Sequence, residues 1–336
     1  MDRRLTLGAI PRGRGPCTFC VWAPAAGRVD LRILGPRGRL VPMNRRDGGY
    51  HHARLDGIHP GTLYVYRLDG LVERPDPASR CQPQGSLGPS CIIDHRYAWT
   101  DRGWAGLPLG DVILHEGPEP RAAFDDLSGR LEEIKSLGAT ALSIRIDEPG
   151  GSLSGYPFAA PADRGGVPGL RRLADACHRQ GLAVMLSAPL FDPGVEGDPF
   201  TLFGPYFTDR PRRIRLDGPG SDEVRRYFIE SVLWWFREVH VDVLDVGSID
   251  DLTDPSPLPL LEELRLVTQA EALRIGRPLH LVARSGRGDP RLIRLREDGG
   301  IGLDAVWNPD FGDALEGVLA RGRLRPPQEV GSIRHL

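Results

Sequence analysis

The chain has 336 residues, 40% of them hydrophobic and 26% charged, and its 43 basic and 45 acidic side chains leave a formal net charge of -2. That length suits two domains, and a near-neutral total without a basic block argues against nucleic acid as the main partner, because phosphate binding needs clustered Lys and Arg. No apolar run reaches the roughly 18 residues of a membrane span, and Pro11 and Gly13 interrupt the start before a secretory apolar core can build, so the expected location is the cytoplasm.

Residues 1–93 are rich in Gly and Pro and carry short strand-like runs at Cys17 to Trp22, Val29 to Leu34 and Leu63 to Leu68. In the last run Tyr64 and Tyr66 share one face while Val65 and Arg67 take the other, the period of two expected of a strand. Turn signals at Gly35-Pro-Arg-Gly, Asp47-Gly-Gly and His59-Pro-Gly space these runs as in a β-sandwich. Cys17 and Cys20 have C-x-x-C spacing, but no second pair of Cys or His completes four zinc ligands, so reduced thiols are expected and no metal or cofactor. Pro75, Pro77 and Pro83 then forbid a regular helix in a connecting stretch, and residues 94–109 are expected to link the two modules.

From about residue 110 strand and helix alternate, with strands expected at Val112–Leu114, Ala141–Ile144, Leu182–Leu186, Val241–Val246, Leu279–Ala283 and Leu303–Trp307. Helices are expected at Phe124–Leu137, Pro168–Gln180, Ser221–Val239, Pro259–Ile275 and Phe311–Ala320, with Ser221 as a cap followed by acidic residues in the first turn. The alternation implies a parallel sheet. Six units fit residues 110–324, too few for an eight-stranded barrel, so either the outer strands pair in a distorted barrel or a protein partner covers the open edge; residues 325–336 form a tail. His115, His240 and His280 sit singly in strand contexts and are read as structural.

Phe19-Cys-Val-Trp-Ala-Pro, Pro60-Gly-Thr-Leu-Tyr-Val-Tyr, Pro75-Asp-Pro-Ala-Ser-Arg-Cys-Gln-Pro-Gln-Gly, Pro205-Tyr-Phe-Thr-Asp and Asp217-Gly-Pro-Gly-Ser-Asp-Glu-Val-Arg-Arg together resemble the maltooligosyltrehalose trehalohydrolases of the α-amylase clan of glycoside hydrolases. The resemblance spans almost the whole chain. It implies a multidomain fold, an immunoglobulin-like β-sandwich followed by a truncated (β/α) TIM-type barrel of about six strands, and action on α-glucans.

The same resemblance places the family's chemistry at the ends of barrel strands, and there this chain departs. A retaining glycosidase needs a carboxylate nucleophile and a carboxylic acid about 5 to 5.5 Å apart. The family's fourth strand reads Asp-Gly-Leu-Arg-Leu-Asp-Ala, with the second Asp as nucleophile. Without a gap against Asp242-Val-Leu-Asp-Val-Gly-Ser, Asp245 falls on the family's Arg and Gly247 on the nucleophile; a one-residue gap would make Asp245 a substitute nucleophile. The family's acid in Ala-Glu-Ser becomes Arg284 in Ala283-Arg284-Ser285, and a guanidinium has no proton to give at working pH. Ser187-Ala-Pro-Leu-Phe-Asp192 replaces a stretch holding a sugar-lining Asn and His, and the last carboxylate of the family would lie beyond Leu336.

No catalytic set is therefore expected to be intact. Tyr156 matches a sugar-stacking tyrosine, with a packed loop residue as its other reading; Asp192, Asp245, Arg284 and Trp307 complete the sugar-facing candidates, and Asp147 and Glu148 also follow a strand end. The expected function is a catalytically degenerate relative that binds α-glucan or maltooligosaccharide, or scaffolds trehalose or glycogen enzymes. The alternative is an active hydrolase that releases trehalose with relocated acids.

Overall fold

The structure is a computed structural model that describes residues 5–13, 15–36, 38–116, 122–146, 156–188, 190–191, 200–208 and 212–307. Asp147, Glu148, Asp192, the expected helix at 311–320 and the tail lie outside them.

The first module is two antiparallel sheets face to face. One has the order β1 (Gly8–Pro11), β2 (Cys17–Trp22), β6 (Tyr50–Leu55), β5 (Asn44–Arg45). The other runs β4 (Arg39–Pro42), β3 (Val29–Ile33), β7 (Leu63–Leu68), β8 (Val72–Arg74), with β9 (Ser90–Cys91) also paired to β7. Tyr64 and Tyr66 point from β7 into the core, 1% and 0% exposed, and both hydroxyls reach the buried Asp76 carboxylate, at 2.7 and 3.2 Å. Cys17 and Cys20 are free thiols, both buried because β2 is covered on each side.

The second module is a six-stranded, all-parallel sheet in sequential order: β10 (Leu114–Glu116), β11 (Ala141–Arg145), β12 (Ala183–Ser187), β13 (Val243–Ser248), β14 (His280–Arg284), β15 (Ala305–Trp307). The connecting helices are α1 (Phe124–Ser128), α2 (Leu131–Ser136), α3 (Gly166–Arg179), α4 (Ser221–Glu238) and α5 (Leu260–Ile275). Sequential order with α-helices between neighbours from β10 to β14, and two short 3-10 turns between β14 and β15, is the winding of a barrel, and among the described residues β10 and β15 pair on one side only.

Several local expectations need correction. The single helix at Phe124–Leu137 is two short ones, broken at Gly129 and Arg130. Val112 and Ile113 precede β10. His240 is not on a strand: it turns the chain between α4 and β13 at a φ of 58°. Ser221 is the first residue of α4; its cap is Gly220, at a φ of +87°, where a Cβ would come within 3.2 Å of the Trp22 ring.

That contact is part of the seam between modules. Glu230 of α4, 3% exposed, accepts from Thr6 N, Thr6 Oγ1 and Leu7 N at 2.8, 2.9 and 3.1 Å. Tyr227 and Tyr206 donate to the Pro77 and Trp22 carbonyls at 2.7 and 3.0 Å. Trp234 and Trp235 are both fully buried core residues of the same helix.

Candidate functional site

Glu116, Arg145, Ser187, Ser248, Arg284 and Trp307 are each the last residue of a strand of the parallel sheet. All six line one pocket of about 420 Å³ at the carboxyl end of the sheet, where parallel barrels place their sites. Its inner wall includes Met185, which packs with Val243 and Val282 in an apolar layer. Trp307, 40% exposed, and Glu116 face solvent at the rim.

Asp245 is 0% exposed, and both of its oxygens are engaged. Oδ2 accepts from Ser187 Oγ at 2.7 Å and from Arg284 Nε at 2.8 Å, and Arg284 Nη2 lies at 2.6 Å. The same Nη2 donates to Ser187 Oγ at 2.6 Å. Oδ1 accepts from the Gly247 backbone at 2.9 Å. This last bond sits in a bulge: Asp245 pairs with Val282 and Ser248 with Arg284, so β13 spends one residue more than β14 over the same span. Gly247 lies inside it at a φ of +85°, a conformation in which a side chain is strained. The ungapped resemblance puts the nucleophile at Gly247, which has no side chain, and a one-residue gap puts it at Asp245; the position it gives to the acid is Arg284, here clamped on Asp245.

Two further pocket carboxylates, Glu116 and Asp250, went unnoticed in the sequence because nothing local marks them. Asp250 accepts from Ser285 Oγ at 2.6 Å and Gly286 N at 3.0 Å. These donors hold its carboxyl below the usual range, the opposite of what a general acid needs. Tyr156 is 4% exposed and lies apart from the pocket: its hydroxyl donates to the Ser86 carbonyl at 2.6 Å and its ring centroid is 5.6 Å from that of Phe200. The reading as a packed loop residue describes this structure.

The opposite end of the sheet holds a second polar cluster, also invisible in the sequence. Asp242, 1% exposed just before β13, accepts from His178 Nε2, Trp104 Nε1 and Val184 N, each at 2.8 Å, and from Arg277 Nη1 at 3.1 Å. His178 Nδ1 faces Asp101 Oδ2 at 3.0 Å, and His240 Nδ1 meets the same oxygen at 2.6 Å. Trp104 stacks on His178 and Trp99 on His240. Burial pushes His178 down, but its two carboxylates outweigh this and hold it above its ordinary value. Trp99, Asp101 and Trp104, expected as linker residues, thereby pack under the sheet.

Residues 6–77 match carbohydrate-binding module 48, the isoamylase N-terminal domain. The chain is 34% identical over 331 residues to the malto-oligosyltrehalose trehalohydrolase of Saccharolobus solfataricus, covering 94% of this chain and 58% of that protein. It is 36% identical over 316 residues to the enzyme of that name from Arthrobacter ramosus, covering 88% and 55%. The chain therefore spans a little over half the length of these curated relatives. Among solved structures it resembles a putative α-amylase from Salmonella typhimurium, with a TM-score of 0.83 at 28% identity over 96% of this chain and 57% of the other. A pullulanase from Paenibacillus barengoltzii in complex with maltohexaose and α-cyclodextrin shares the fold, with a TM-score of 0.66 at 20% identity over 92% and 58%.

Proposed function

Since the chain is a relative of the malto-oligosyltrehalose trehalohydrolases, we propose that it binds an α-glucan or maltooligosaccharide in the strand-end pocket and does not cleave it. The observation that carries this reading is the Arg284–Asp245 pair, which puts a permanent cation where the resembled family has its proton donor. Cleavage with retention needs one carboxylate free to attack and one carboxylic acid charged with a proton. Asp245 has both oxygens committed, and Asp250 is held ionised by its donors. What remains suits recognition: an exposed indole face at Trp307 for the apolar side of a glucose ring, and Arg145, Glu116 and Ser248 around it for hydroxyls.

The role that follows is that of a glucan-binding member, or a scaffold, in trehalose or glycogen metabolism, with the sandwich module as a second contact to the glucan. A protein partner lying along β10 or β15, each paired on one side only among the described residues, belongs to the scaffold form of this reading. Titration calorimetry with maltotetraose to maltoheptaose tests it. Saturable heat that Trp307→Ala diminishes supports glucan binding; no heat at millimolar sugar removes it and leaves the scaffold.

One observation favours the second reading, an active hydrolase releasing trehalose. Glu116 is an exposed carboxylate on the pocket rim whose place at the end of β10 lets it face a bound sugar. Glu116→Gln separates the two: it abolishes product release if that carboxyl is a relocated acid, and changes only maltooligosaccharide affinity, with no product in wild type or variant, if the pocket only recognises glucan.

A further inference from the structure

Between the sandwich and the barrel, the chain leaves at Cys81, makes a loop through Pro83, Gly85 and Gly88, and returns as β9 at Cys91. Each stem is anchored to the sandwich, and one side chain also ties the two stems together. On the first, Asp76 is buried under Tyr64 and Tyr66 and bonds Ala78 N at 2.8 Å, while Ser79 Oγ donates to the Cys81 carbonyl at 3.0 Å. On the second, β9 pairs Leu63 with Cys91. Ser90 Oγ accepts from Asp76 N at 2.9 Å. The stems meet where Cys91 N donates to the Cys81 carbonyl at 2.9 Å. With an α-carbon about 2.4 Å from its own carbonyl oxygen and about 1.5 Å from its own nitrogen, one such bond keeps the two α-carbons within about 6.8 Å, the upper end of the roughly 4.4 to 6.8 Å that a disulfide spans. Both residues are half-buried, whereas Cys17, Cys20 and Cys177 are buried.

From this juxtaposition we propose that Cys81 and Cys91 form a reversible dithiol–disulfide site, which staples the loop between them when a peroxide oxidises the protein. The Cys91 sulfur is the attacking atom. The Cys81 thiol donates to it and draws Cys91 down to about 7, toward the thiolate, while the same contact pushes Cys81 up. The thiolate attacks one oxygen of hydrogen peroxide, the O–O bond breaks, and hydroxide leaves and takes a proton, so that Cys91 becomes a sulfenic acid. The Cys81 sulfur then attacks the Cys91 sulfur; the S–O bond breaks and the hydroxide departs as water with the Cys81 proton. The sum is two thiols and one peroxide giving one disulfide and two waters. An external dithiol reverses the bond by exchange and is itself oxidised.

The other three cysteines make the site selective. Cys17 and Cys20 are buried and pushed up to about 12 by that burial, and burial likewise raises Cys177. The loop also carries the Ser86 carbonyl that receives the Tyr156 hydroxyl, so the staple ties the connector to the barrel.

The test uses the full chain. The protein is treated with stoichiometric hydrogen peroxide, alkylated with iodoacetamide and mapped by mass spectrometry with and without dithiothreitol. The expected result is simultaneous protection of Cys81 and Cys91, a dithiothreitol-labile pair of peptides joined through these two residues, an intact mass lower by two hydrogens, and a melting temperature higher by a few degrees. In Cys81→Ala, Cys91 accumulates as sulfenic and then sulfinic acid with no linked peptide. The proposal is overturned if wild-type Cys81 stays alkylatable once Cys91 is oxidised, or if the linkage that forms involves Cys17, Cys20 or Cys177 or joins two chains.

Discussion

Asp242 and Asp245 stand three residues apart, one just before β13 and one within it, and both are almost completely removed from solvent, at 1% and 0% exposed. Asp242 gathers donors from four places in the chain: Trp104 of the connector, His178 of α3, Val184 of β12 and Arg277 beyond α5. Asp245 gathers Ser187 and Arg284 from the strands on either side and Gly247 from its own bulge, and its cation is a third exposed. The same chemistry does different work at the two ends. Below the sheet it binds distant segments into one body; at the mouth it consumes the charge that a hydrolase would keep free for a reacting sugar.

The largest effect that sharpens this contrast is expected from Asp242→Ala, which strands an imidazolium, an indole N–H, a guanidinium and a backbone N–H. It should lower stability by about 4 kcal/mol in urea melts, while the folded fraction keeps its maltooligosaccharide affinity. A wild-type melt would break the contrast. Next is Arg284→Ala, which leaves Asp245 buried without its cation and should cost about 3 kcal/mol. Adding Asp245→Asn should return most of that loss, and the double-mutant cycle measures the coupling.

A smaller effect is pH dependence of the lower cluster. His178 is held above its ordinary 6.5, so its contribution is complete below that value and is lost as pH rises through the folded-state pKa. Asp242 is held below its ordinary 3.8, so its contribution is present above that value and is lost as pH falls through its folded-state pKa. Denaturant midpoints should therefore decline on the alkaline side of 6.5, and His178→Gln should flatten that decline. Smallest in stability is Trp307→Ala at the rim, within about 0.5 kcal/mol of wild type, yet it should weaken maltooligosaccharide binding about tenfold.

Much of the frame was readable in the residues. Alternation at Leu63–Leu68 and the apolar runs at Ala141, Leu182, Val241 and Leu279 mark strands because burial of one or both faces dictates them locally. Element edges were less legible, as at Gly129, where a short break is decided by packing. Arg284 and Asp245 could each be placed on a strand in advance because the family resemblance covers both segments; their pairing is supplied by the fold. His178 could not: it lies inside an ordinary amphipathic helix, and its partners are 64 and 77 residues away in sequence. Tyr156 was equally undecidable, since the carbonyl that takes its hydroxyl comes from a loop 70 residues earlier. Contacts set by topology leave no local trace.

The central claim is that the pocket holds glucan without hydrolysing it, and product analysis after incubating the chain with maltooligosyltrehalose tests it most directly. The substrate is expected back intact at sugar concentrations that saturate binding. Release of trehalose that Asp245→Asn or Glu116→Gln abolishes would contradict it.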